Sequence, residues 1–434
     1  MEQIYGHQAN VQKGSWYAVY YGSSIFNVID KDIHARKKRV MSQAFSDKAV
    51  RGMEPHILSA IRDWCAQLGD GAGSVTSAEP SKWSQPKDMS HWAAYMIFDV
   101  LGEICYGETF QTSLRTENRF FLDLMTEHVR FLNITGQMRL LSQLNLGRIF
   151  LRGSRELRQK QIAFSQHQLR KRLALGSKSH GRRDIIHYLQ EARDPETGQG
   201  YSESELMSET VLLLGAGSDT ANTALASIFY FLVHHPEVQE RLAKTIRDTF
   251  PTIESIVSGP ALNSMLYLRA CVDESLRLCP PIPMLLPREV LRGGLHIDGH
   301  YFEAGCTVGV PTYSLHHNEE YFRNPFRYDP SRWLVKGTKS LDASEGYCAE
   351  EVQVARGAFV PFSVGPRACI GRNVAVIELY IGVARALWLY DVRLAPGFET
   401  IGVGEKGEYK IKDNFIAGKE GPIVQLRRAA ASKH

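Results

Sequence analysis

The sequence predicts a mainly helical fold with a smaller β-rich part, the helices running up to Pro280 and the strands falling mostly after it. Three observations carry this. Between Pro55 and Leu175 apolar residues recur at helical spacing, as in Ile57, Ile61, Trp64 and Leu68. From Leu206 to His235 there is no proline, and Ser202-Glu-Ser-Glu205 opens the run with a capping-box pattern. From Met284 to Gly309 the pattern turns to alternation broken by glycine-containing turns.

Composition narrows the class. A length of 434 residues allows two or three domains as a soft prior, and 44% hydrophobic with 23% charged residues describes a globular chain with ample core. A net charge of +4 is too small to argue for nucleic acid. The seven cysteines, Cys65, Cys105, Cys271, Cys279, Cys306, Cys348 and Cys369, are odd in number and include no CxxC pair. A disulfide framework and a structural zinc site are therefore not expected, and the compartment reads as reducing. No run of about 18 apolar residues exists and the first thirty residues lack a signal pattern, so the chain by itself reads as unanchored and cytoplasmic.

In chain order, the first 30 residues predict a short helix and a long loop. Asp30-Lys-Asp-Ile-His34-Ala-Arg36-Lys37-Lys38-Arg39 then opens a helix that continues apolar to Phe45. Such a basic cluster is usually a solvated face or, in another context, a nucleic-acid patch. Helices follow from Pro55, from Trp92 to Tyr106 and from Phe120 to Phe131, with a polar break at Gly69 to Ser77. Gly176 to Tyr201 reads as a loop around a short helix at Asp184 to Glu191. Asn133-Ile-Thr135 matches a glycosylation acceptor by coincidence, given no secretory signal.

The long Leu206–His235 run carries Gly215-Ala216-Gly217-Ser218-Asp219-Thr220 at its middle. Each glycine there costs about 1 kcal/mol relative to alanine, which calls for a reason. Close helix packing is one; room for a flat ligand beside the backbone is the other. An acid next to a hydroxyl, Asp219 and Thr220, can deliver protons.

A helix over Asn263 to Leu278 ends at Cys279-Pro280-Pro281, and on it Glu274 and Arg277 share a face. His316-His317-Asn318 lacks a third ligand at metal spacing. Lys336 to Glu351 reads as an irregular meander, and Gly402-Val-Gly404-Glu-Lys-Gly407 as a hairpin turn rather than a dinucleotide site, because strand-like alternation follows it.

The chemistry centres on Phe362-Ser-Val-Gly365-Pro-Arg367-Ala-Cys369-Ile-Gly371, ahead of an apolar helix ending near Leu389. Loop glycines bring amide N–H groups to the sulfur, and the following helix adds its positive end. Both lower a thiol's pKa and favour its metal-binding form.

These segments, with Pro330-Ser-Arg332-Trp333, resemble the cytochrome P450 family, the haem-thiolate monooxygenases, over the whole chain and in the style of the membrane-bound fungal members. The resemblance implies one haem-binding domain over residues 1–434, α-rich to about 280 and mixed β beyond. It implies haem b with Cys369 as axial iron ligand, Phe362, Gly365, Arg367, Gly371 and Ala216 beside it, and His34, Lys38, Arg288 and Arg367 toward the propionates. Lys38 stands where the family has arginine, so its pairing would be that of a point charge, or would pass to Arg39. Glu274, Arg277 and Arg332 become a structural triad, Asp219 and Thr220 a proton relay, and Ile282 to Leu286 a substrate-facing segment.

The implied reaction inserts one oxygen atom of O2 into a lipophilic substrate of fungal secondary metabolism. Its electrons come from NADPH through a separate flavoprotein reductase, with cytochrome b5 as a further partner. An isomerase or dehydratase, or an inactive truncated remnant, is the alternative; relatives of the first kind tend to lack the acid and hydroxyl pair present here. The family layout also places a membrane anchor, a first helix and the first β-strands, roughly 80 to 100 residues, before what stands at residue 1. With them the location would be the cytosolic face of the endoplasmic reticulum.

Overall fold

The computed structural model describes residues 1–70, 82–138, 152–175, 182–338 and 345–429. The chain opens with α1 (Glu2–Tyr5) and a strand, β1 (Val11–Lys13), where sequence reasoning expects only loop. Three residues are too few for a periodic signal. The strand exists because a partner far along the chain, β3 (Arg288–Val290), completes its hydrogen bonds.

Asp30 caps α2 (Lys31–Ser42) by accepting from the Asp32 and Ile33 amides. Next, α3 (Asp47–Leu68) starts eight residues before Pro55, capped by Ser46, and carries the proline inside. Pro55 and Arg51, whose carbonyl loses its partner, are both exposed, so water takes the orphaned group. After β2 (Lys87–Asp88) come α4 (Met89–Leu101), which runs on as a π-helical turn to Tyr106, then α5 (Phe120–Gln137), α6 (Arg152–Ala174) and α7 (Ile185–Glu191). The polar break predicted at Gly69 to Ser77 lies mostly outside the described residues, and the glycosylation-like Asn133 falls within helix α5.

The central element is α8 (Glu203–His234), opened by the reciprocal Ser202–Glu205 capping box. It packs against α4, α5, α6, α9 (Pro236–Thr249), α11 (Leu266–Leu278) and α14 (Arg372–Leu389). A separate turn, α10 (Pro260–Asn263), precedes α11, so that helix starts three residues later than expected. Two more helices, α12 (Thr312–His316) and α13 (Ala349–Ala358), flank the meander. The second was hidden in a polar run; its signal is the Cys348–Glu351 capping box.

Among the described residues the β part is four small antiparallel sheets. β1 and β6 (Thr307–Val308) flank β3; β2 and β7 (Tyr390–Leu394) flank β10 (Ile423–Arg428). β4 (Leu295–Ile297) and β5 (His300–Phe302) close through Asp298-Gly299, both at positive φ, as a primed hairpin turn requires. β8 (Lys412–Asn414) pairs with β9 (Ile416–Gly418). The glycine run before them is a hairpin turn, with Val403 bridged to Tyr409. No helix among the described residues is long and apolar enough to cross a membrane.

Candidate cofactor site

The Cys369 loop closes on itself. The Cys369 amide donates to the Phe362 carbonyl at 2.9 Å, and Gly365 sits at φ +74°. A Cβ on Gly365 would stand 2.0 Å from the Tyr5 carbonyl oxygen, so the position demands glycine for both conformation and clearance. Gly371 caps α14, and the Gly371 and Arg372 amides donate to the Cys369 sulfur. Sequence reasoning expects a lowered thiol pKa. Instead burial raises it and outweighs both amides. The residue keeps accessible surface, although protein crowds its thiol.

Beneath the loop lies a buried ionic knot. Glu274 accepts from Arg277 at 2.8 and 2.9 Å, from Arg332 at 3.3 Å, from Trp333 Nε1 at 3.0 Å and from the Asp329 amide at 3.1 Å. Arg277 spends its remaining donors on the carbonyls of His316, Pro325 and Arg327. His316 is 0% exposed and joins this knot to the segment entering the cysteine loop. Its Nδ1 meets the Arg277 carbonyl at 3.2 Å and its Nε2 accepts from the Val360 amide at 3.0 Å. That pattern fixes a neutral ring, and burial pulls its pKa to about 3. Its neighbour His317 turns the other way, with Nδ1 2.8 Å from the Tyr313 carbonyl and its ring stacked on Tyr313.

On α8 the two glycines answer to packing. A Cβ on Gly217 would come 2.8 Å from Leu101 of α4, and one on Gly215 3.1 Å from Met125 of α5. Ala216 is the residue left exposed in mid-helix, and Thr220, one turn on, shares its face and donates to its carbonyl at 2.7 Å. Asp219 is buried elsewhere on the helix, and burial raises its pKa.

The basic cluster on α2 divides by face. Arg36 pairs with Glu205, Lys37 with Glu209 at 3.1 Å, and Arg39 with Asp194 at 2.6 Å, which removes both the nucleic-acid reading and Arg39 as a free cation. His34 and Lys38 line a cavity of about 410 Å³ with Arg288, Arg367, Lys13, Lys31 and the Asp194-paired Arg39, and no acidic residue among the described ones lines it. Lys38 donates to the Pro366 carbonyl at 2.6 Å, Arg367 to the Val28 and Ile29 carbonyls, and Arg288 to the Tyr17 hydroxyl at 3.1 Å.

Lys13 is the residue sequence reasoning missed, because it lies on the unrecognised strand β1. It stands directly across the sheet from Arg288, a like-charge pairing that is unfavourable without an anion. Its ammonium donates to the Phe26 carbonyl and lies 4.1 Å from the Tyr17 ring centre. Burial first, then Arg367 and Arg288, lowers the Lys13 pKa. Burial first, then Arg367, Lys13, Lys38 and Arg288, brings His34 to about 3. A protein-crowded thiol and an acid-free basic pocket fit an iron cofactor that carries carboxylates.

A second cavity, about 780 Å³, is lined by Pro283, Met284, Leu285, Trp16 and Ile411 among others, but not by Cys369 or Thr220. Beside it Trp16, Tyr20, Phe26 and Phe415 form an aromatic cluster.

The sequence matches the family described as Cytochrome P450 over residues 7–403. A cytochrome P450 monooxygenase of Gibberella zeae is 33% identical over 437 residues, covering 98% of this chain and 96% of its own length. The cytochrome P450 monooxygenase poxM of Penicillium oxalicum is also 33% identical, over 100% of this chain and 80% of its own. The crystal structure of the cytochrome P450DA heme domain superposes with a TM-score of 0.75 at 18% identity, covering 96% of this chain and 84% of that one.

Proposed function

This chain belongs to the cytochrome P450 family and is a haem-iron oxidoreductase of its monooxygenase class, and we propose that it inserts one oxygen atom of O2 into an unactivated C–H bond or a double bond of a lipophilic fungal secondary metabolite. The observation that supports this best is that the loop carrying the Cys369 thiol also sends Pro366 and Arg367 into the acid-free pocket of Lys13, His34, Lys38 and Arg288. Cys369 would bind the iron, with Phe362, Gly365 and Gly371 shaping its loop, and the five basic residues would take the two propionates. Bound haem with a thiolate ligand supplies activation of dioxygen, at the expense of two electrons and two protons.

The chain's own residues hold and deliver. Ala216 keeps the α8 backbone clear on the open side, and the Thr220 hydroxyl releases its bond to the Ala216 carbonyl to give up a proton, which Asp219 replaces. Met284 and Leu285, with the Trp16 cluster, exclude water and favour an apolar substrate. Glu274, Arg277 and Arg332 keep the loop in register. Electrons would come from a separate NADPH-dependent flavoprotein reductase docked on the proximal face, with cytochrome b5 as an additional donor.

The test is the absorption spectrum of the reduced, carbon monoxide-treated protein beside Cys369→Ala. A strongly red-shifted Soret band that the variant loses supports thiolate ligation. A band that persists in Cys369→Ala, or an absence of haem in the parent protein, removes the proposal.

A further inference from the structure

Helix α8 and the last hairpin meet along one line. The Thr223 hydroxyl donates to the Ala417 carbonyl at 3.3 Å, and the Ala417 amide donates to the Pro281 carbonyl at 2.9 Å, so β9 is pinned at residue 417. Four residues back along α8, on the same face and about 6 Å along the axis, stands Asp219. Two residues beyond Ala417, just past the end of β9, stands Lys419. Lys419 acts electrostatically on Asp219 and Asp219 on Lys419, each favouring the other's charged form.

Lys419 is the charged group that bears on Asp219, whereas Lys419 itself also faces Cys279 at the end of α11 and Asp88 at the start of α4. Among the described residues neither Asp219 nor Lys419 makes an ion pair at contact distance. Asp219 is 9% exposed, while Lys419 keeps more of its surface open.

We propose that Lys419 is a positioning residue for the proton supply: from the C-terminal hairpin it favours the ionised form of the buried Asp219, the form left each time Asp219 passes a proton to Thr220. The inference rests on the reading of Asp219 and Thr220 as the delivery pair. Without a cation nearby, burial makes the carboxylate left after each donation costly to form, so the acid gives up its proton less readily. With Lys419 opposite, the carboxylate takes a proton from solvent, gives one to the Thr220 hydroxyl as that hydroxyl gives up its own, and returns to its starting charge. No electrons move along this path.

The experiment compares Lys419→Met, Lys419→Gln, Lys419→Arg and Asp219→Asn in the haem-loaded protein. First, infrared difference spectra follow the protonated-carboxyl stretch of Asp219, assigned by its loss in Asp219→Asn, through a pH titration. Second, NADPH consumption with the reductase and no organic substrate is followed with peroxide counted, in light and heavy water. Lys419→Met and Lys419→Gln raise the apparent pKa of Asp219 by about one unit, Lys419→Arg leaves it in place, and the uncharged variants enlarge the solvent isotope effect. If Asp219→Asn changes neither peroxide yield nor isotope effect, the delivery-pair reading fails. If Asp219→Asn changes them but the uncharged Lys419 variants leave the carboxyl titration unmoved, the role of Lys419 alone is overturned.

Discussion

Replacing His316 with leucine tests how the cysteine loop is held. The ring is fully buried and both nitrogens are engaged, so His316→Leu leaves the Val360 amide without its acceptor and the Arg277 carbonyl without this donor. An unsatisfied buried group costs about 1–3 kcal/mol, which puts the loss at about 2–6 kcal/mol. With an unfolding entropy of about 2.1 cal/mol/K per residue, 434 residues give about 0.9 kcal/mol/K, so Tm falls by about 2–7 °C.

The pH dependence sharpens the test. His316 has its pKa lowered from 6.5 to about 3 in the folded chain, so its contribution is complete above the unfolded value and is lost as pH falls from 6.5 toward 3. About one and a half pH units below the unfolded value that loss is about 2 kcal/mol. His34 and His317, also lowered by burial, remain in both proteins and cancel in the difference. Thermal unfolding followed by circular dichroism and by the Soret band should show a gap between parent and variant that narrows on acidification. A gap that stays constant with pH, or no gap near neutrality, would refute the neutral-ring bridge.

Glu274→Gln strips two buried guanidinium groups of their counter-charge and should cost about 3–5 kcal/mol, read as a lower melting temperature and haem lost before global unfolding. Gly365→Ala forces a methyl into the Tyr5 carbonyl at a positive φ; limited proteolysis should then cut before β1, where the parent protein resists. Lys13→Met removes one cation from the acid-free pocket, and haem transfer to an excess acceptor protein should quicken by about tenfold, with little change in melting of the haem-free chain. Acceptor transfer at the parent rate would take Lys13 out of the anion site.

Much of this was legible in residue order because the signals are local. The capping box and unbroken apolar run announced α8, the prolines after Cys279 ended α11, and Asp298-Gly299 marked its hairpin. What stayed hidden depends on distant partners. The strand Val11–Lys13 is made by Arg288–Val290, so neither it nor Lys13 had a local signature. Pro55 concealed the first turns of α3 because its exposure, which makes it tolerable there, is a tertiary fact. The glycines at 215 and 217 pointed to the right stretch of α8, but only the packing of Leu101 and Met125 shows that Ala216 is the open residue. The Cys369 thiol carried the expected amides, yet burial decided its pKa.

The pocket's basic residues also fix a timetable. Lys38 is bonded to a carbonyl 328 residues later in the chain, Arg367 to one 339 residues earlier, and Tyr5 to one 281 residues later. At a synthesis rate of about 5–20 residues per second, α1, β1 and α2 wait roughly 15 to 65 seconds on the ribosome before the segments that complete them emerge. Through that interval the cluster of like charges has no walls and the thiol does not yet exist. Cofactor capture is therefore a late event in synthesis, and the early segments need shelter until the Cys369 loop has been made.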